Sequence, residues 1–290
     1  MNIRLSIVLG LLMVAITSPS QAGNFPQDFQ DANLLFNRGK FEEAREAFLK
    51  LVETGPNPAA IDQALAKVAG CESALKRYKE ATTTVDRIKD KFLLTLCRMR
   101  LLADQRKFAD VLSICKDEDF NTWPDALMYE AYLSRGIAYA RANEVPTAED
   151  NFRQAIAKTT SDSEKAFAYL NLGELYMRMK TQNARALETY AEVYKLQAGA
   201  TYLCRAAIAS AKILATEGKR DLALAELDRL KGLTKQPHWT FAQLGYAEVY
   251  TILGSESESK ASYQAIIDST NPPADMLKLA KERLNPPSKP

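Results

Sequence analysis

Residues able to do chemistry are few and scattered. The chain has one histidine, His238, set between Pro237 and Trp239. Any Ser-His-Asp or Cys-His relay must use that imidazole. No nucleophile stands near it in sequence, so it is either a surface histidine or part of a site assembled from distant segments. The four cysteines, Cys71, Cys97, Cys115 and Cys204, are separated by 26, 18 and 89 residues, with no C-x-x-C pair. That is not the clustering a zinc site requires. Glycine patterns that cradle a phosphate or a dinucleotide are missing. Acids gather at Glu42-Glu43 and Asp117-Glu118-Asp119, as they do on solvated helix faces and linkers. No cofactor and no metal are expected.

Charge and compartment narrow the classes further. Across 290 residues, 38 Lys and Arg oppose 36 Asp and Glu, a formal charge of +2. That balance offers no electrostatic footprint for nucleic acid. Met1 to Arg4 is a short basic start, Leu5 to Ile16 is an uncharged apolar run, and small residues stand at Ser20 and Ala22. This is the layout of a secretory signal peptide over residues 1–22; an uncleaved anchor is the alternative. The run is shorter than the roughly 20 residues a spanning helix needs, and no second long apolar run follows. A periplasmic or secreted protein is expected, not inserted in a membrane once the signal is cleaved. Export to an oxidising compartment invites cysteine pairing. Cys71 and Cys97 lie close enough in the pattern to approach each other, yet buried free thiols suit all four positions equally.

The elements that must position these residues repeat. A small residue followed four later by a bulky one recurs at Ala44/Phe48, Ala81/Val85, Val111/Cys115, Ala148/Phe152, Ala186/Tyr190, Ala223/Leu227 and Ser259/Tyr263. The intervals are 37, 30, 37, 38, 37 and 36. A turn precedes each copy, at Gly39-Lys40, Lys76-Arg77, Arg106-Lys107, Asn143-Glu144, Lys180-Thr181-Gln182, Gly218-Lys219 and Gly254-Ser255. Upstream of the turn stands a second amphipathic segment, with Tyr132, Arg135, Gly136 and Tyr139 in copy four and Tyr169, Leu172, Gly173 and Tyr176 in copy five. Spacings of three and four place these residues on one helix face. Each copy therefore predicts two helices, with Asp162 and Ser163 as caps of the fifth pair. No run alternates with period two, so no strand is expected. Residues 115–124 interrupt the pattern. Their Phe120 and Trp123 either plug a joint between helix pairs or form a lip that grips a ligand.

The pattern Tyr-x-x-Leu-Gly-x-x-Tyr, then Gly-x-Phe-x-x-Ala-x-x-x-Phe, then Pro resembles the tetratricopeptide repeat, in a protein of exported bacterial type. Gly39, Phe41, Ala44, Phe48 and Pro56 carry it in copy one, and Tyr169, Leu172, Gly173 and Tyr176 in copy five. Copy three departs from it, with Val111 and Cys115 in place of the small and aromatic residues. The resemblance implies an all-α, right-handed α-solenoid of about seven helix-turn-helix repeats whose first helices line a concave groove. The domain plan is a signal peptide at 1–22, a single solenoid over 23–284 with residues 274–284 as its capping helix, and a flexible tail at 285–290.

If that geometry holds, the groove includes Arg100, Glu130, Arg141, Phe167, Glu174, Arg178, Arg205, Lys212, Phe241 and Glu248. The expected function is a non-enzymatic protein–protein interaction scaffold of the cell envelope that binds a partner peptide or subunit there. Alternatives are an all-α toroid-like enzyme hydrolysing a glycan with buried acids, and a self-associating structural protein.

Overall fold

The computed structural model describes residues 24–285, so the expected signal segment (1–22) and the tail residues 286–290 lie outside it. The described residues form fifteen α-helices and one short 3-10 turn, with no strand. Helices pair in chain order: α1 (Phe25–Asn37) with α2 (Phe41–Thr54), α3 (Pro58–Ala74) with α4 (Tyr78–Val85), α5 (Lys91–Asp104) with α6 (Phe108–Cys115), and α7 (Asp125–Arg141) with α8 (Val145–Ala157). Then come α9 (Asp162–Arg178) with α10 (Asn183–Val193), α11 (Ala200–Thr216) with α12 (Arg220–Asp228), α13 (His238–Ile252) with α14 (Glu256–Asp268), and the single α15 (Ala274–Leu284). The described residues gather into two compact units that part between Lys158 and Thr159. Four pairs lie in the first. Three pairs and α15 lie in the second.

The recurring small residue marks the seam of each pair. Ala44, Ala81, Val111, Ala148, Ala186 and Ala223 are wholly buried on the second helices, and Ser259 is nearly so. A bulky partner is buried one turn later, as at Phe48, Phe152 and Tyr190. On the facing first helices a glycine admits the ring. A Cβ built at Gly136 would stand 2.9 Å from Phe152 Cδ1, and one at Gly173 would overlap the Tyr190 ring. Burial of these faces against each other supplies the driving force.

The turns end each first helix in the left-handed conformation. Positive φ falls at Gly39, Lys76, Arg106, Asn143, Lys180, Gly218 and Gly254, the seven turns expected from the sequence. Backbone bonds close them in the same way: Lys40 N–H donates to Leu35 C=O at 3.0 Å, and Arg77 N–H to Glu72 C=O at 2.8 Å. The fifth pair is capped differently from the expectation. Ser161 Oγ accepts from Glu164 N–H at 3.4 Å, while the Asp162 carboxylate accepts from Gln197 N–H at 2.8 Å. Asp162 is already inside the helix, which frees its side chain to hold the loop after α10.

The irregular third link is packed down. Phe120 and Trp123 are buried, edge-on to each other at 4.8 Å, with Tyr132 and Phe92 beside them. Arg135 of α7 fastens the segment. Its guanidinium lies 4.1 Å over the Phe120 ring and donates to the Cys115 and Glu118 carbonyls at 3.1 and 2.7 Å. Its Nε donates to Asn151 Oδ1 at 2.8 Å. The two rings therefore plug the joint and form no lip. At the other end Met276 and Ala280 of α15 are buried, with Ala280 in one cluster with Leu244, Tyr263 and Ile266.

Candidate interaction surface

First helices of successive pairs are neighbours within each unit: α3, α5 and α7 in the first, α9, α11 and α13 in the second. Helix periodicity turns one stripe of each toward the seam and leaves another with polar groups. The stripe positions carry the residues expected to bind.

In the second unit these residues meet in pairs. Arg205 of α11 donates from Nη2 to Glu174 Oε1 of α9 at 3.1 Å, and its guanidinium stands 5.6 Å from the Phe167 ring centre. One helical turn pair further on, Lys212 of α11 makes a close ion pair with Glu248 of α13. Phe241 is half-buried against the α11–α12 cluster. Arg178, in the last turn of α9, is exposed. In the first unit Arg100 of α5 faces Glu130 of α7 at 3.6 Å, and Arg141 at the end of α7 lies 5.6 Å over the Phe108 ring. So within each unit cations and acids expected in the groove stand as the steps of a ladder. Each step joins an Arg or Lys to a Glu on the adjacent first helix. The two pairs of the second unit are part-exposed and add little stability, about 0–1 kcal/mol each, whereas Glu130 of the first unit is buried.

Sequence reasoning missed Lys67. It sits on α3 and is only 8 % exposed, with its Nζ 6.0 Å from the Phe36 ring centre. Burial first, then the neighbouring Arg100, pushes its amine down to about 8. Within the run PAAIDQALAKVAGCESA nothing separates it from an ordinary solvated lysine. A signal existed only in the apolar residues on both sides of it.

The residues able to do chemistry do not assemble. His238 is half-buried, and its Nε2 meets Thr201 Oγ1 at 3.0 Å across one repeat. All four cysteines are free and buried, and burial raises Cys71, Cys97 and Cys115 to about 12 and Cys204 to about 11. Thiols held neutral in this way are poor nucleophiles. Among the described residues no group of three His, Cys, Asp or Glu could hold a metal ion, and no helix is long and apolar enough to cross a membrane.

No family model matches the chain, and no curated protein matches it. Solved structures do. A tetratricopeptide repeat protein from Parabacteroides merdae is 11% identical with a TM-score of 0.53, over 90% of this chain and 99% of the other. The chain has the tetratricopeptide-repeat fold. The selenomethionine form of phAimR is similar too, at 12% identity and a TM-score of 0.51, covering 89% of this chain and 77% of that one. The C-terminal part of a repeat-containing protein of the same kind from Cytophaga hutchinsonii is 19% identical, with a TM-score of 0.45 over 86% and 98%.

Proposed function

We propose that this chain is a non-enzymatic scaffold of the cell envelope, exported to the periplasm or secreted, that holds a protein partner on the faces of its first helices. The observation that carries this reading is the pairing of Glu174 with Arg205 and of Lys212 with Glu248 across adjacent first helices. Charged side chains pre-extended on rigid helices lose little entropy when a partner binds. The basic start and apolar run of residues 1–16 support export. The exposed Arg141 and Arg178 favour an acidic partner segment, because guanidinium pairs with carboxylate through two parallel bonds. The test is Arg141→Glu with Arg178→Glu in a protein whose helical circular dichroism is unchanged. A partner recovered from envelope extract by the wild-type chain should bind the double variant at least about tenfold more weakly, with a flatter salt dependence. Equal binding overturns the assignment of these faces.

A further inference from the structure

The second unit carries a cleft that the paired first-helix charges do not use. It opens between the loop before α13 and the end of α14, and its volume is about 440 Å³. Small-molecule sites span about 300–1,000 Å³. Trp239, half-buried in the first turn of α13, lines the cleft. Around the ring stand Thr234 and Gln236 of the loop, with Asp268, Ser269 and Thr270 of the α14 end. No lysine or arginine is in the lining. Among the described residues no hydrogen-bond partner reaches Thr234 Oγ1, Thr270 Oγ1 or Trp239 Nε1. Asp268 Oδ1 accepts from Gln264 Nε2 at 2.8 Å, which leaves Oδ2 free. Gln236 is held in place: the wholly buried Thr240 donates from Oγ1 to its Oε1 at 2.5 Å. Its Nε2 is left with only Ser269 Oγ at 3.5 Å. Ser269 ends α14 by donating from both N–H and Oγ to the Ile266 carbonyl, at 3.3 and 2.8 Å, so the carbonyls after Ile266 lack a helical donor.

These groups define a ligand by its chemistry. An aromatic face receives an apolar face. Asp268 and the negative end of α14 repel an anion and accept hydrogen bonds from donors. The three hydroxyls can donate or accept, and Gln236 Nε2 donates. The ligand must therefore bring several hydroxyls, no negative charge and one apolar face. A neutral sugar ring with equatorial hydroxyls combines all three, because its axial C–H bonds form the apolar face and its rim is hydroxyl. We propose that this cleft binds a neutral saccharide stacked on Trp239, with one hydroxyl donating to the Asp268 carboxylate and a neighbouring one accepting from Gln236 Nε2. A quaternary ammonium also suits an aromatic ring beside an acid, but it leaves the hydroxyls and the amide of the lining without partners. Asp268 is the only carboxylate in the lining, whereas glycoside hydrolysis takes a pair. The cleft holds the sugar and does not cut it.

Trp239 is its own reporter, since Trp123 is buried in the first unit. The purified chain is titrated with cellotetraose and with chitotetraose, two neutral β-linked oligomers, by tryptophan fluorescence and by calorimetry. At least one should shift the fluorescence and saturate, with the same affinity by both methods. Gluconate, which carries a negative charge, and choline should each bind at least about tenfold more weakly. Trp239→Ala and Asp268→Ala should each lose at least about tenfold in affinity by calorimetry, with helical circular dichroism unchanged. Asp268 is exposed in the last turn of α14, so its variant does not depend on repacking the ring. Lys235→Met, in the same loop but outside the lining, should bind as the wild type does. No saturable binding of either oligomer to the wild-type chain, or undiminished binding by either folded alanine variant, overturns the site. Gluconate, choline or a proline-rich peptide binding as tightly as the oligomers overturns the saccharide assignment.

Discussion

Gly173 and Gly70 look alike in sequence, each inside a first helix, and the structure gives them opposite meanings. At Gly173 a methyl group would run into the Tyr190 ring, which is fully buried and has nowhere to move. At Gly70 the nearest atom is Phe36 Cε2 at 3.8 Å, an ordinary contact. Alanine gains about 1 kcal/mol over glycine in a helix, whereas overpacking costs about 1–3 kcal/mol. Gly173→Ala should therefore lower the melting temperature and Gly70→Ala should raise it. Two shifts of the same sign would contradict the ring-to-glycine seam. Tyr190 itself carries a buried hydroxyl with no hydrogen-bond partner. Removing an unsatisfied buried group recovers its desolvation penalty, about 1–3 kcal/mol. Urea unfolding of Tyr190→Phe should show a higher midpoint with the same slope, and a lower midpoint would mean that the hydroxyl is in fact satisfied.

Each helix pair uses the same turn, but different residues carry it. Gly39, Gly218 and Gly254 occupy the left-handed position without strain, while Lys76 and Arg106 hold φ of 62° there. A residue with a Cβ costs about 1–2 kcal/mol in that conformation. Both side chains are exposed, so nothing in packing offsets the cost. Lys76→Gly and Arg106→Gly should each stabilise the chain by about 1 kcal/mol in chemical denaturation. A loss of stability in both would show that the longer side chains protect the turn in a way the backbone does not reveal. The turns are legible in the sequence because Gly39, Asn143, Gly218 and Gly254 mark four of them, and the period supplies the rest. The Ser161 cap was displaced by one residue in the reading, since Ser, Asp and Ser at positions 161–163 all suit a cap and only the loop after α10 decides which is spare.

Whole-chain behaviour follows from local contacts and buried thiols. The only two tryptophans, Trp123 and Trp239, fall one in each compact unit. Stacked repeats contact mainly their neighbours, so unfolding need not be a single cooperative step. Fluorescence of Trp239→Phe reports the first unit and that of Trp123→Phe the second; their urea midpoints should differ, and coincidence of the two would make the chain one cooperative block. Alkali should act in two phases under reducing conditions. Lys67 is lowered from 10.5 to about 8, so the unfolded chain binds the extra proton and stability rises from about pH 8 toward 10.5. The thiols are raised from 9.0 to about 12 at Cys71, Cys97 and Cys115 and to about 11 at Cys204. Their contribution is whole below about pH 9 and is lost above it as the unfolded thiols ionise. One amine is outweighed by four thiols. Urea midpoints should therefore peak between about pH 8 and 9 and fall by pH 10, and a midpoint still rising at pH 10 would place those cysteines in contact with water.

The sequence alone determined the all-helical class, the seven pairs, their turns and their seams, because helix periodicity, small-residue spacing and left-handed turn chemistry are all local in the chain. It also put Arg100, Arg205 and Lys212 on first helices. What it could not determine is which charges meet across helices 30 or more residues apart. Only packing decided that Arg205 is taken by Glu174 and Lys212 by Glu248. Packing also buried Lys67 beside Arg100 and left Glu130 without a donor. Burial and pairing depend on neighbours brought together in space, and a repeat pattern fixes the helices without stating what stands opposite each side chain.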